Sequence, residues 1–161
     1  MYGPRGIAAA RDGSVFVTDT GNDRVIRFAP DGAPHVVVAK GVVDKPVGIA
    51  LANGELYIAD VGHRRIAVFA LDGRFIREWP IDGWGPGALP EPYIAVGPDR
   101  VVWVTDPHGK RVLVFDNAGA SLGIAVPSTP LELPLGITAT GRGTAMVVDA
   151  ARNRLVSVRH P

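Results

Sequence analysis

The feature that most constrains the fold of this chain is a charged pair that returns four times along its 161 residues. In each case an Asp is followed, after four variable residues, by an Arg. The pairs are Asp19/Arg24, Asp60/Arg65, Asp106/Arg111 and Asp149/Arg154. Successive Asp residues are 41, 46 and 43 positions apart, so the chain is built from repeats of similar length.

Each repeat contains the same succession of short segments. The repeats open on Gly-Ile-Ala-like segments at Gly6, Gly48, Tyr93 and Gly136. An apolar run then ends in the Asp, and a second apolar run follows the Arg. Short runs rich in Val, Ile and aromatic residues, bounded by Gly, Pro, Asn and Asp, indicate strands joined by tight turns. Four antiparallel strands per repeat, here named a to d in chain order, are typical of a β-propeller blade.

The repeated pattern resembles the NHL repeat. Its elements are Pro-x-Gly-Ile-Ala, an apolar run ending in Asp, four residues, Arg, a second apolar run ending in Phe, and Asp-Gly. The resemblance covers almost the whole chain and implies a single all-β propeller domain of NHL-like four-stranded blades over residues 1–161. The blades fall near residues 4–45, 46–91, 92–133 and 134–161. Tyr93 and Val158 depart from the pattern, and His63 stands where the first repeat has Asn22.

The strand count predicts that the last blade lacks its outer strand. The first three repeats supply strand d, expected at residues 35–39, 74–79 and 121–126, whereas the chain reaches Pro161 just after strand c of the fourth. An arc of such blades exposes an apolar sheet face and an unpaired edge, and both favour association. We therefore expect that another copy of the chain completes the propeller, or that the chain is a piece of a longer parent.

The spacing of the charged pairs predicts a structural role. Four intervening residues fit a tight turn between strands b and c, which brings the Asp and the Arg side by side at the end of the sheet. An active site rarely needs the same pair once per blade. We interpret all four pairs as structural ion pairs.

The b–c turns also supply candidate binding residues. His63 and Arg64 lie in the second of these turns, and His108 and Lys110 lie in the third. Two histidines without a further ligand do not make a zinc site, so we predict no metal centre and interpret them as exposed turn residues. The small positive excess in these turns favours single-stranded RNA, which also needs stacking aromatics, and only Trp84 and Tyr93 are plausible candidates for that role.

The longest connection, residues 81–92, carries Trp84 among Gly and Pro residues, and Tyr93 follows it. An exposed Trp in such a loop would contact a partner, whereas a Trp that folds back would fill space between blades; the sequence leaves both open. Strand b, in contrast, carries a large apolar residue at one repeated position, which predicts inter-blade core. These residues are Phe16, Tyr57, Trp103 and Met146.

Composition narrows the classes of function. Seventeen Lys and Arg against 16 Asp and Glu create no global field for nucleic acid or an anionic membrane. The absence of Cys excludes disulfides, thiolate metal sites and a Cys nucleophile. No apolar run reaches the roughly 18 residues of a membrane span. A Gly-x-Ser-x-Gly elbow, a P-loop and an EF-hand loop are also missing from the sequence.

From these observations we expect a propeller that is not an enzyme and needs no cofactor. It would bind a protein or peptide, or act as a scaffold, and would self-associate to complete its ring. The alternative from another class is a metal-dependent propeller lyase or lactonase, followed by a propeller that binds single-stranded RNA. An isolated or engineered set of repeats without activity also remains open.

Overall fold

The computed structural model describes residues 1–84 and 92–161. Within these residues the chain forms strands and two short 3-10 helices, Thr20–Asn22 and Ala150–Arg152, and no α-helix. It divides into two compact units, Met1–Ile81 and Asp82–Pro161. In the described part of the chain no helix is long and apolar enough to cross a membrane.

The first unit contains two antiparallel four-stranded sheets in simple meander order. The first sheet consists of β1 (Pro4–Ala9), β2 (Val15–Asp19), β3 (Arg24–Phe28) and β4 (Pro34–Val38). The second sheet consists of β5 (Pro46–Ala52), β6 (Glu55–Asp60), β7 (Arg65–Ala70) and β8 (Phe75–Pro80).

The second unit contains the third and fourth sheets, again antiparallel and four-stranded. The third consists of β9 (Ile94–Val96), β10 (Val102–Asp106), β11 (Arg111–Phe115) and β12 (Ser121–Ile124). The fourth consists of β13 (Val126–Pro127), β14 (Pro134–Gly141), β15 (Thr144–Asp149) and β16 (Arg154–Arg159), in the order β13-β16-β15-β14. The predicted fold class, an all-β fold of four antiparallel propeller blades, is confirmed.

The fourth sheet differs in one detail from the expectation that it lacks an outer strand. No strand follows β16 among the described residues, but the position beside β16 is held by the two-residue strand β13. Val126 pairs with Arg159, and Pro127 pairs with Val158. Only Ala125 separates β12 from β13, so one extended segment serves the edges of two sheets. The strand count missed this because it assigned the segment to the third blade alone.

In each unit the two sheets pack face to face with the same register. The first of the two sheets packs through the face that carries the residue three positions before the Asp and the residue directly after the Arg, such as Phe16 and Val25. We call this the leading face. The second uses the face that carries the residues two before the Asp and two after the Arg; we call this the receiving face. Phe16 and Val25 thus share a core with Ile58 and Ala67.

The second unit follows the same rule. Trp103 and Val112, on the leading face of the third sheet, share a core with Val147 and Val156, on the receiving face of the fourth. The prediction of a repeated core position in strand b therefore holds for Phe16, Tyr57 and Trp103, which are fully buried. Met146 is only half-buried. It lies on the leading face of the fourth sheet, which no other sheet of its unit covers.

Close backbone contact between the first and second sheets explains a glycine of the repeat. A Cβ atom on Gly6 would lie 2.4 Å from the Val47 carbonyl oxygen. The Thr18 hydroxyl accepts a hydrogen bond from the Gly6 N–H and donates one to the Val47 carbonyl, both at 2.7 Å. A side chain at Gly6 would push the sheets apart and break this buried bridge.

Candidate functional site

Each of the four Asp/Arg pairs is formed in the structure. The Asp carboxylate at the end of strand b of each repeat is fully buried, and the Arg that begins strand c lies partly in solvent. The distances from Arg Nε to Asp Oδ2 are 2.8 Å for Asp19/Arg24, 2.7 Å for Asp60/Arg65, 2.8 Å for Asp106/Arg111 and 3.1 Å for Asp149/Arg154.

The buried carboxylates also bind the segment that leads into strand a of their own repeat. Among the described residues, a backbone N–H of this segment donates to the Asp in the first, second and fourth sheets. The donors are Tyr2 to Asp19 at 2.6 Å, Asp44 to Asp60 at 2.7 Å and Leu133 to Asp149 at 2.8 Å. One side chain therefore holds three pieces of chain together: the end of one strand, the start of the next, and the lead-in segment.

A donor from the turn itself completes three of these networks. Asn22 Nδ2 binds Asp19, His63 Nδ1 lies 2.8 Å from Asp60 Oδ2, and the Gly109 N–H binds Asp106. His63 thus occupies the place of Asn22 in the network, as the sequence alignment of the repeats suggests. One nitrogen of its ring, Nδ1, is therefore occupied by a hydrogen bond with the structural carboxylate of Asp60.

These bonds set the ionisation of two of the carboxyls. Burial on its own would raise the pKa of Asp19, but hydrogen bonds from an amide, a backbone N–H and a guanidinium outweigh it and hold the pKa below its ordinary value. Asp149 behaves alike: burial is outweighed by backbone N–H donors and Arg154, and its pKa is also lowered. Both groups are carboxylates at neutral pH.

The other predicted turn residues lie in solvent. Arg64, His108 and Lys110 are exposed, in b–c turns that belong to different units. Within the described residues, no group of three or more His, Cys, Asp and Glu side chains could hold a metal ion.

The residue just before the Arg of each pair has a left-handed backbone. The positions and φ angles are Asp23 at 52°, Arg64 at 54°, Lys110 at 52° and Asn153 at 48°. Asn and Asp tolerate this conformation, whereas Arg and Lys pay a steric cost. The second and third turns therefore display their cations at strained positions.

Trp84 does not lie on the surface. Its side chain is 3% exposed, so it is not an exposed residue that could contact a partner. The burial agrees with the alternative that this Trp folds back. Residues 85–91 of the predicted contact loop lie outside the described residues. Tyr93 is half-buried, and its backbone N–H donates to the Thr105 hydroxyl at 2.8 Å.

A polar cluster that the sequence analysis missed lies on the second sheet. Arg77 binds Glu55 through two N–H groups, at 3.0 and 2.6 Å, and lies 5.6 Å above the Tyr57 ring. The Tyr57 hydroxyl donates to Glu55 at 2.9 Å. Burial and this carboxylate raise the pKa of Tyr57 to about 12, so the phenol is a hydrogen-bond donor at neutral pH and not a base. The sequence signal that could have indicated this cluster is the Glu-x-Tyr pattern on β6 together with the Arg on β8.

Each unit also carries an apolar surface that could contact a partner. On the receiving face of the first sheet, Ile7 is 67% exposed and Val36 is also exposed. On the leading face of the fourth sheet, Leu155 is 67% exposed and Val148 is also exposed. An open hollow of about 330 Å³ lies at this second surface, at the turn between β15 and β16.

The comparison with known families decides the identity of the repeats. A model of the NHL repeat matches residues 1–28 and 44–69. The first two repeats of the chain match the NHL repeat. The two matches fall on the first and second sheets. No curated protein matches the sequence.

Solved structures similar to this chain include enzymes and a nidogen/laminin complex. Virginiamycin B lyase from Staphylococcus aureus is 21% identical with a TM-score of 0.72 over 95% of this chain and 54% of the other. A gluconolactonase from Xanthomonas campestris is 23% identical with a TM-score of 0.72, covering 100% and 60%. A nidogen/laminin complex is 22% identical with a TM-score of 0.71, covering 98% and 64%. These similarities show the fold, and the chain spans less than two thirds of each of these relatives.

The lowered pKa of Asp19 predicts an acid-sensitive contribution to stability. Because the folded pKa lies below the unfolded one of about 4, this contribution is complete above about pH 4 and is lost as pH falls through the folded value. We expect Asp19→Asn to cost about 2 to 3 kcal/mol at pH 7 and progressively less below pH 4 in urea unfolding. Asp31→Asn, at an exposed turn, is the control and should change little at either pH. An equal cost at pH 7 and pH 3 would contradict the assignment.

The left-handed backbone at Arg64 predicts a stabilising substitution. We expect Arg64→Asn to raise the free energy of unfolding by about 0.5 to 1 kcal/mol, because Asn tolerates positive φ. Arg74→Asn is the control: it removes the same charge from an exposed arginine that does not have a positive φ angle, and it should leave the free energy of unfolding unchanged. Equal effects of the two substitutions in urea unfolding would show that charge, and not backbone strain, is responsible.

Proposed function

We propose that this NHL-repeat chain is a non-catalytic binding or scaffolding module that first associates with another copy of itself. The observation that carries the proposal is a pair of partly exposed apolar faces. On the first sheet Ile7 and Val36 are exposed while the central Val17 and Ile26 are buried, and on the fourth sheet Val148 and Leu155 are exposed. The first sheet exposes a receiving face and the fourth sheet exposes a leading face, which are the two faces that join sheets inside each unit. Each uncovered face therefore has a complementary surface on a second copy.

Association of this kind is head-to-tail. A leading face docks on a receiving face, so each copy keeps one free face until the assembly closes into a ring. Four blades from each of two copies would make eight, at the upper end of the roughly four to eight blades that β-propellers use. The exposed b–c turns, with Arg64, His108 and Lys110, then remain available to a protein or peptide partner.

The lyase and lactonase alternative is favoured by the similar structures, which include enzymes named for those reactions. Against it, His63 is committed to Asp60 and the Tyr57 phenol stays protonated at neutral pH. A thermal shift with divalent ions tests this alternative. A rise in Tm that saturates with one ion and disappears in His108→Ala would favour the enzyme hypothesis over the scaffold.

The solution mass tests self-association. We expect a multiple of 17.0 kDa in sedimentation or light scattering at micromolar concentration. Leu155→Asp should lower the association constant at least tenfold, because docking would bury an unpaired carboxylate. Ile124→Asp is the matched control: it also replaces an exposed apolar residue of the second unit, on β12, and should leave the mass unchanged. A stable wild-type monomer would refute the proposal.

A further inference from the structure

We propose that the hollow on the fourth sheet receives the segment Met1–Gly3 of a second copy, with the Met1 side chain inside it. This inference rests on the proposed self-association and specifies its register. Five residues line the hollow: Val148, Ala150, Asn153, Arg154 and Leu155. Most of its wall is apolar, and the Asn153 amide is its one uncharged polar side chain.

The first sheet shows what occupies the equivalent place. Counted from the Asp/Arg pair, the five lining residues correspond to Thr18, Thr20, Asp23, Arg24 and Val25. There the lead-in segment of the second sheet lies against the turn. The Lys45 N–H donates to Asp23 Oδ1 at 3.0 Å, and Thr20 Oγ1 donates to the Pro46 carbonyl at 2.6 Å. Val43 of the same segment is 1% exposed and shares the core with Val25.

The third sheet repeats this arrangement in the second unit. Leu131 lies three residues before Pro134, as Val43 lies three residues before Pro46. Leu131 is buried and shares a core with Val112, the equivalent of Val25. In both units, an apolar side chain from the lead-in segment of the next sheet covers the leading face beside the b–c turn.

Met1 is the equivalent residue in front of the first sheet. It lies three residues before Pro4, yet it is 63% exposed. Gly3 has φ of 58°, and Lys45 at the same position has 47°, so the two lead-in segments share an unusual backbone conformation. The segment is thus already shaped like the one that Asp23 holds.

Chemistry at the hollow fits this occupant. Asn153 replaces Asp23, and its amide oxygen is an acceptor for the Gly3 N–H of the second copy. Val148 and Ala150 replace the two threonine hydroxyls, which makes the hollow more apolar. Met1 is longer and more adaptable than Val43, and it suits a wider apolar hollow.

A disulfide test is direct because the chain contains no Cys. We expect the double variant Gly3→Cys/Asn153→Cys to form a covalent link between chains on mild oxidation, seen as a doubled mass on a non-reducing gel. Asp23→Cys/Lys45→Cys is the matched control, since it bridges the equivalent positions within one chain. A link within the chain, or no link while the control closes, would overturn the inference. A correct multiple of the mass without a link would leave self-association standing and refute only this register.

Gly136→Ala provides a second, independent test. Gly136 is the equivalent of Gly6, whose added Cβ would strike the Val47 carbonyl of the docked sheet. At Gly136 the nearest atom to an added Cβ is Val148 Cγ2 at 3.6 Å, so Ala fits within the chain itself. We expect at least a tenfold loss of association with the far-UV spectrum of the folded chain unchanged. Undiminished association of Gly136→Ala would overturn the proposed register, even if Leu155→Asp abolishes association.

Discussion

The structure depends on a buried carboxylate that is repeated once per sheet. An ionised Asp at the end of a strand is costly to bury, and it persists because guanidinium and backbone N–H donors satisfy its oxygens. Those donors come from separate pieces of chain, so the carboxylate fixes where the next strand begins and, in three sheets, where the lead-in segment runs. The pKa values of Asp19 and Asp149 are lowered for the same reason, so these two carboxylates stabilise the fold at neutral pH.

With the strands of each sheet fixed, packing between sheets follows from one register. Within each unit, the leading face of the first sheet meets the receiving face of the second, and the lead-in segment of the second sheet covers the b–c turn of the first. Each interface involves only nearest neighbours, so stability is a sum over sheets and interfaces. The first and fourth sheets each also carry exposed apolar residues on a face that no sheet of their own unit covers.

Much of this architecture was predictable from the sequence, because the Asp/Arg spacing and the short apolar runs are local signals. The features that were missed depend on context. Strand β13 arises because one segment serves two sheets, and Trp84 is buried although its loop is rich in Gly and Pro. From the sequence, the left-handed conformation of Arg64 could be inferred only because Asp and Asn, which tolerate positive φ, occupy the same position in the first and fourth repeats, at Asp23 and Asn153. The lead-in residues were overlooked, although an apolar residue three positions before Pro precedes the first, second and fourth sheets.

The residues that line the hollow bear on whether this face of the fourth sheet is suited to face water, as an end cap does, or to contact another protein surface. A terminal repeat that is meant to face water carries a more polar outer face than the internal repeats. Here the change goes in the opposite direction: Thr18 and Thr20, which bond the neighbouring sheet, become Val148 and Ala150 in the fourth. Such a surface loses hydroxyls that water could have satisfied and gains apolar area that favours burial. These changes support the proposal that the fourth sheet contacts another surface, and in that proposal the Asn153 side chain, which corresponds to Asp23, accepts the lead-in N–H of a docked copy.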